Sequence, residues 1–140
     1  MTILPEYLSD CTVFLLAKAY QKAHGRFKQM LQPYGLTNIQ YLVLVCVVWE
    51  PGLTAAEIGK MLILDKGTLS GVIDRLSEAG WIERQKDAED QRIQRLYATP
   101  KTKTAVDALI DAPQLLDKAL LAHLSLEEKV LLKRLLKDLL

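Results

Sequence analysis

The chain has 140 residues, half of them hydrophobic, a quarter charged and only 6% aromatic, with a net charge of +1. That length supports one domain with its own core, and the balance excludes both a disordered tail and a disulfide-stapled miniprotein. Two cysteines make no disulfide framework, no stretch reaches the roughly 18 apolar residues of a membrane span, and the near-zero charge alone demands no nucleic-acid partner.

Met1 to Asp10 carries acids and a proline where a secretory leader would be basic, so a reducing cytoplasm is the expected compartment. Apolar residues at three- and four-residue steps from Leu8 to Leu31 predict one long helix, ended by Pro33 and Gly35. Thr37 caps a second helix, Ile39 to Trp49, that is apolar nearly all round and therefore expected to be deeply buried. Thr54-Ala-Ala-Glu57 reads as a capping box opening a short helix through Met61. After a break at Ile63 to Asp65, a helix runs from Lys66 to Ala79 and closes at Gly80.

Beyond Gly80 the period becomes alternating. Trp81 to Gln85 and Ile93 to Ala98 predict two strands, joined by the charged loop 86–92. Thr99-Pro100 starts another helix, which Pro113 interrupts or divides. The leucine-rich end, Leu115 to Leu140, contains a second capping box at Ser125-Leu-Glu-Glu128.

Three helices, a strand, a charged turn and a strand form the winged-helix order, whose reader is the last helix before the strands. Leu69, Val72, Ile73 and Leu76 are spaced to face the core. Lys66, Thr68, Ser70, Gly71, Asp74 and Arg75 then face outward. Small and hydrogen-bonding residues in the first two turns suit a helix entering the major groove N-terminus first, and Gly71 permits close approach. An ordinary surface helix has a similar face, so the flanking elements decide between the readings.

Several ordered motifs over residues 8 to 105 resemble the multiple antibiotic resistance regulator (MarR) family. Leu36-Thr-Asn-Ile-Gln40 is similar to its "LTxxQ" helix start, and Leu53-Thr-Ala-Ala-Glu-Ile-Gly-Lys-Met-Leu62 to its "LTxxELAxxL" segment. Asp74 to Arg84 resembles "drLeekGlIeR", Asp90-Gln-Arg92 the wing "DxR", and Ala98-Thr-Pro-Lys101 the "LTpkG" that follows. Gly71 and Gln91 stand where basic residues are frequent, and Thr102 where a glycine is usual.

The resemblance implies a mainly α protein with a small β-hairpin wing: a winged helix-turn-helix flanked by N- and C-terminal dimerisation helices. One domain, 1–140, would divide into a DNA-binding part, 37–100, and a helical dimerisation part, 1–36 with 101–140. It further implies a dimeric repressor on a pseudopalindromic double-stranded operator. Arg92 would enter the minor groove, Asp90 would orient it, and Lys66, Thr68, Ser70 and Arg75 would meet bases and phosphates beside Gly71. From Thr37 to Pro100 acids slightly outnumber Lys and Arg, so modest and strongly salt-dependent affinity is expected.

Leu115, Leu116, Leu120, Leu124, Leu131, Leu135, Leu136 and Leu139 exceed what one short helix buries, which is material for a homodimer. Phe14, Phe27, Tyr34 and Tyr41 could line a pocket for a small aromatic or lipophilic acid, and their spacing is equally that of ordinary core. The segments around Phe14, Gln40 and Leu64 look nearest the organic-hydroperoxide branch, which senses oxidants through an early cysteine. Cys11 is the redox candidate, offset by two residues from that branch's position, with the acid Asp10 beside it. Cys46 reads as packing, His24 as an exposed helix residue, and no pattern suggests a metal, a cofactor or catalysis. The competing readings are a thiol-based oxidant-sensing repressor and a winged-helix protein–protein adaptor.

Overall fold

The computed structural model describes residues 4–140. Among them, α1 (Glu6–Ser9) and α2 (Thr12–Leu31) replace the single helix expected from Leu8 to Leu31. The Pro5 carbonyl takes the N–H groups of Leu8 and Ser9, closing one turn, and the chain restarts at Cys11. The Cys11 N–H donates to Leu8 at 3.1 Å and its carbonyl accepts from Leu15 at 2.9 Å, so Cys11 begins α2 instead of lying within a helix.

Each following start has a local cause. Thr37 and Gln40 exchange side-chain-to-backbone bonds of 3.2 and 2.9 Å at the head of α3 (Asn38–Trp49). Thr54 and Glu57 form the expected box for α4 (Ala55–Leu62), and Ser125 with Glu128 does so for α8 (Leu126–Asp138). These bonds satisfy backbone N–H groups that have no partner inside the helix. Between α4 and α5 (Lys66–Glu78) the chain turns through Ile63, a non-glycine residue at φ +54°. Gly80, at φ +75°, turns the chain out of α5 into the strands.

β1 (Ile82–Lys86) and β2 (Gln94–Ala98) pair antiparallel from Ile82 opposite Ala98 to Lys86 opposite Gln94. Leu53 adds a bridge to Leu96 on the other edge of β2. The adjoining Gly52 has φ +91°, a conformation that favours glycine, and a Cβ there would lie 3.1 Å from the Tyr97 hydroxyl, which would have to shift slightly. Then come α6 (Pro100–Ala108) and α7 (Ala112–Leu120). Pro113 sits in the first turn of α7, where its missing N–H costs nothing, so the break falls just before it.

The chain forms two compact units. The middle unit, His24–Ile110, has a closed core built on α3, which packs on α4, α5, α6 and β2. Leu31, Val43, Leu44, Val47, Ile58 and Leu76 are fully buried. Trp49 departs from the deep burial expected of α3. As its last residue, beyond the packed turns, it is 83% exposed. Thr102, where a glycine was the expected family residue, is fully buried and donates its hydroxyl to the Trp81 carbonyl.

The second unit comprises the residues up to Ala23 with Asp111–Leu140. Among its described residues Ala112 alone is buried. Tyr7, Val13, Leu126, Val130 and Leu139 are all more than 60% exposed, and Leu115, Leu131 and Leu135 are about half exposed. Lys133 pairs with Asp117, joining α8 to α7.

Candidate nucleic-acid interface

The geometry of the middle unit begins with α5. Leu69, Ile73 and Leu76 are buried and Val72 half-buried, which leaves Lys66, Thr68, Ser70, Gly71, Asp74 and Arg75 exposed together. The face was legible from spacing. So was its start at Lys66, but not its cap: Asp65 is the N-cap, accepting the Thr68 N–H at 2.8 Å and the Thr68 hydroxyl at 2.6 Å. These two bonds, the hydroxyl first, hold the Asp65 carboxyl below its ordinary range. An Asp three residues before a Thr, at the end of a break, was the available signal.

Asp74 is engaged as well, in an ion pair with Arg84 of β1 that ties the outer face of α5 to the hairpin. An open cleft of about 500 Å³ lies between α4, α5 and the strands. Ala55, Gly59, Leu64, Leu69, Ile73 and Leu96 line it, with Lys60, Lys66 and Arg84 as its cations.

The hairpin loop is built from a chain of bonds. Arg95 on β2 donates to the Gly52 carbonyl at 2.9 Å and to Asp87 Oδ1 at 2.5 Å. Asp87 Oδ2 accepts the N–H groups of Glu89 and Asp90 at 3.1 and 3.0 Å. Asp90 in turn takes Arg92 in a two-pronged pair, with both bonds at 3.0 Å, and accepts the Arg92 N–H at 3.0 Å. Arg95 pushes the Asp87 carboxyl down, and Arg92 does the same to Asp90. The Arg92 side chain is nonetheless 90% exposed. Its direction is therefore set by the hairpin while its outer N–H groups stay available to an anion.

Asp90 and Arg92, two residues apart, were identifiable from sequence. Asp87 and Arg95 were missed, because the bonds of Arg95 that join them to each other and to Gly52 span 8 and 43 residues.

Phe27 and Tyr41 meet edge-on, with ring centroids 5.2 Å apart. Both are buried; the Tyr41 hydroxyl donates to the Leu109 carbonyl at 3.3 Å, and burial pushes its pKa up. Tyr34 lies half-buried in the turn after α2. Phe14 belongs to the other unit, where Lys18 stands 5.5 Å above its ring. Cys11 is half-buried, and Cys46 is buried with its thiol pKa raised by desolvation. His24 is half-buried, not exposed as its spacing suggested.

Two helices joined by a short turn, followed by a hairpin whose loop presents a held arginine, define a winged helix-turn-helix protein. The MarR family model matches residues 36–94. The multiple antibiotic resistance protein MarR of Salmonella typhimurium is 31% identical over 127 residues, which is 90% of this chain and 88% of that protein. The chain belongs to the MarR family. A mutant MarR from E. coli, solved in complex with operator DNA, superposes with a TM-score of 0.83 at 28% identity, covering 90% of this chain and 91% of that one. The PcaV transcriptional regulator from Streptomyces coelicolor, solved with its natural ligand, gives 0.83 at 26% identity, covering 99% and 96%. The chain spans 44% of the length of another relative, the regulator TtmR of Methylorubrum extorquens, at 37% identity.

Proposed function

We propose that this protein is a cytoplasmic, homodimeric transcription repressor that reads a pseudopalindromic DNA operator and is released by a small molecule. The observation that carries the reading is Arg92, 90% exposed yet held by both oxygens of Asp90, on the hairpin that follows a helix with an exposed polar face. Arg92 enters the minor groove, where a narrow A·T tract concentrates negative potential. Lys66, Thr68, Ser70 and Arg75 face the major groove, and Gly71 leaves its floor open, with nothing within 4 Å of the place a Cβ would take. An adaptor that docks proteins would present an apolar outer face, and α5 does not.

Dimerisation is supported by the exposed leucines of α7 and α8, since an isologous interface is the ordinary way for one chain to cover such a face. Two half-sites about one helical turn apart follow from that symmetry. Release by a small aromatic or lipophilic acid is supported by the 500 Å³ cleft beside α5, whose apolar lining and nearby Lys60, Lys66 and Arg84 suit an anionic ring compound. The candidates Phe14, Phe27, Tyr34 and Tyr41 fit that role less well, because Phe27 and Tyr41 pack on each other.

Fluorescence anisotropy on duplexes tiling the gene's own upstream region, at two salt concentrations, tests the reading. One tile should bind saturably, more weakly at high salt, and Arg92→Ala should lose it. Equal weak binding to every tile at both salts would overturn it.

A further inference from the structure

The outward face of α5 has a hydrogen-bond polarity, and Thr68 supplies half of it. Its hydroxyl has one hydrogen, and that hydrogen points at Asp65 Oδ2, 2.6 Å away. The direction is not ambiguous: Asp65 is held ionised, and an ionised carboxylate only accepts. What the exposed Oγ1 offers outward is therefore its lone pairs, beside the γ-methyl. The neighbours differ. Lys66 and Arg75 can only donate, Gly71 offers no side chain, and the Asp74 carboxylate is engaged by Arg84. Ser70, whose hydroxyl bonds no described residue, can turn it either way.

Resting on the DNA-reading function above, we propose that Thr68, oriented by Asp65, is a specificity-determining residue that reads an exocyclic amino group in the major groove: N6 of adenine or N4 of cytosine. A thymine O4 or guanine O6 at the same place would set an acceptor against an acceptor, losing the bond and leaving both oxygens desolvated. Lys66 and Arg75 take the complementary task of guanine O6 and N7 or phosphate oxygens. Asp65 is a positioning residue in this scheme. It touches no base, and its carboxylate removes the donor option from Thr68.

The test uses the full-length protein and duplexes selected by it from a randomised pool. In the selected duplex each adenine is replaced in turn by purine, and each cytosine by pyrimidin-2-one, analogues that keep the ring and lack the amino group. Wild type should bind about fivefold more weakly at one position per half-site, the size expected of one hydrogen bond. Thr68→Val keeps the shape and the backbone N–H that Asp65 caps. It should bind the unmodified duplex about fivefold more weakly and lose nothing further at that position. Asp65→Asn should broaden the selected base there to include guanine or thymine. If Thr68→Val suffers the same losses as wild type at every analogue, or if wild type selects guanine or thymine at the position Thr68→Val no longer discriminates, the inference falls alone. If no sequence is enriched at all, it falls together with the DNA-reading function.

Discussion

The middle and terminal units use the same residue, leucine, in opposite ways. In the middle unit Leu31, Leu44 and Leu76 are fully buried. In the terminal unit Leu115, Leu126, Leu135 and Leu139 are 47–73% exposed, and α8 buries none of its residues. Burial of a leucine side chain contributes about 1.5–3 kcal/mol. One unit therefore draws its stability from within the chain, whereas the other leaves that free energy for association. The difference separates positions that govern folding from positions that govern assembly.

The largest expected effect tests that separation. Leu76→Ala removes three carbons from a closed site and should lower unfolding stability by about 2–5 kcal/mol, read in urea melts. The same truncation at Leu139 should leave the dilute chain almost as stable. It should instead reduce the dimer fraction in sedimentation and flatten the dependence of Tm on concentration. A Leu139→Asp variant with unchanged sedimentation and melting would break the comparison, because the exposed leucines would then have no partner.

Next in size are changes on the hairpin, where stability and DNA affinity should part company. Arg92→Ala removes a side chain that is 90% exposed, so the melt should stay within about 0.5 kcal/mol of wild type. Operator affinity should fall by about 1–3 kcal/mol, and the slope of log K against log salt should drop by about one charge. An unchanged salt slope would mean that Arg92 faces solvent in the complex.

Arg95→Gln reaches the same endpoint indirectly, with a loss of about 1 kcal/mol. Arg95 connects the Gly52 carbonyl to Asp87, whose other oxygen takes the backbone of Glu89 and Asp90, and Asp90 holds Arg92. If Arg95 acts by placing Arg92, then Arg95→Gln in an Arg92→Ala background should cost no further DNA affinity. Additive losses would show that Arg95 supports the protein generally or touches DNA itself.

What could be read from the sequence follows the range of each interaction. Thr54 with Glu57, Ser125 with Glu128, and Asp90 with Arg92 lie within three residues, so residue type and spacing nearly determine the bond. The buried stripe Leu69, Ile73 and Leu76 is legible for the same reason, being a helical period. The Arg95 anchor is not, since its partner carbonyl lies 43 residues away and any backbone could have supplied it. The break at Asp10 and Cys11 was also missed, because neither residue interrupts an apolar period in the way Gly or Pro does. His24 was placed outward by spacing alone, which takes no account of what packs against a helix.

The smallest expected effect concerns the turn between α4 and α5. Ile63 sits at φ +54° and ψ +51°, where a β-branched side chain crowds its own backbone at a cost of roughly 1–2 kcal/mol. It is 73% exposed, so burial within the chain does not offset that strain. Its N–H and that of Leu64 both reach the Gly59 carbonyl, the latter at 3.0 Å, and this geometry sets the angle at which α5 leaves α4. Ile63→Asn keeps the left-handed turn at lower strain and should raise stability by up to about 1 kcal/mol, with operator affinity unchanged. A stabilised variant that binds operator more weakly would instead place the exposed isoleucine against DNA. The strain would then belong to the reading surface and not to the turn.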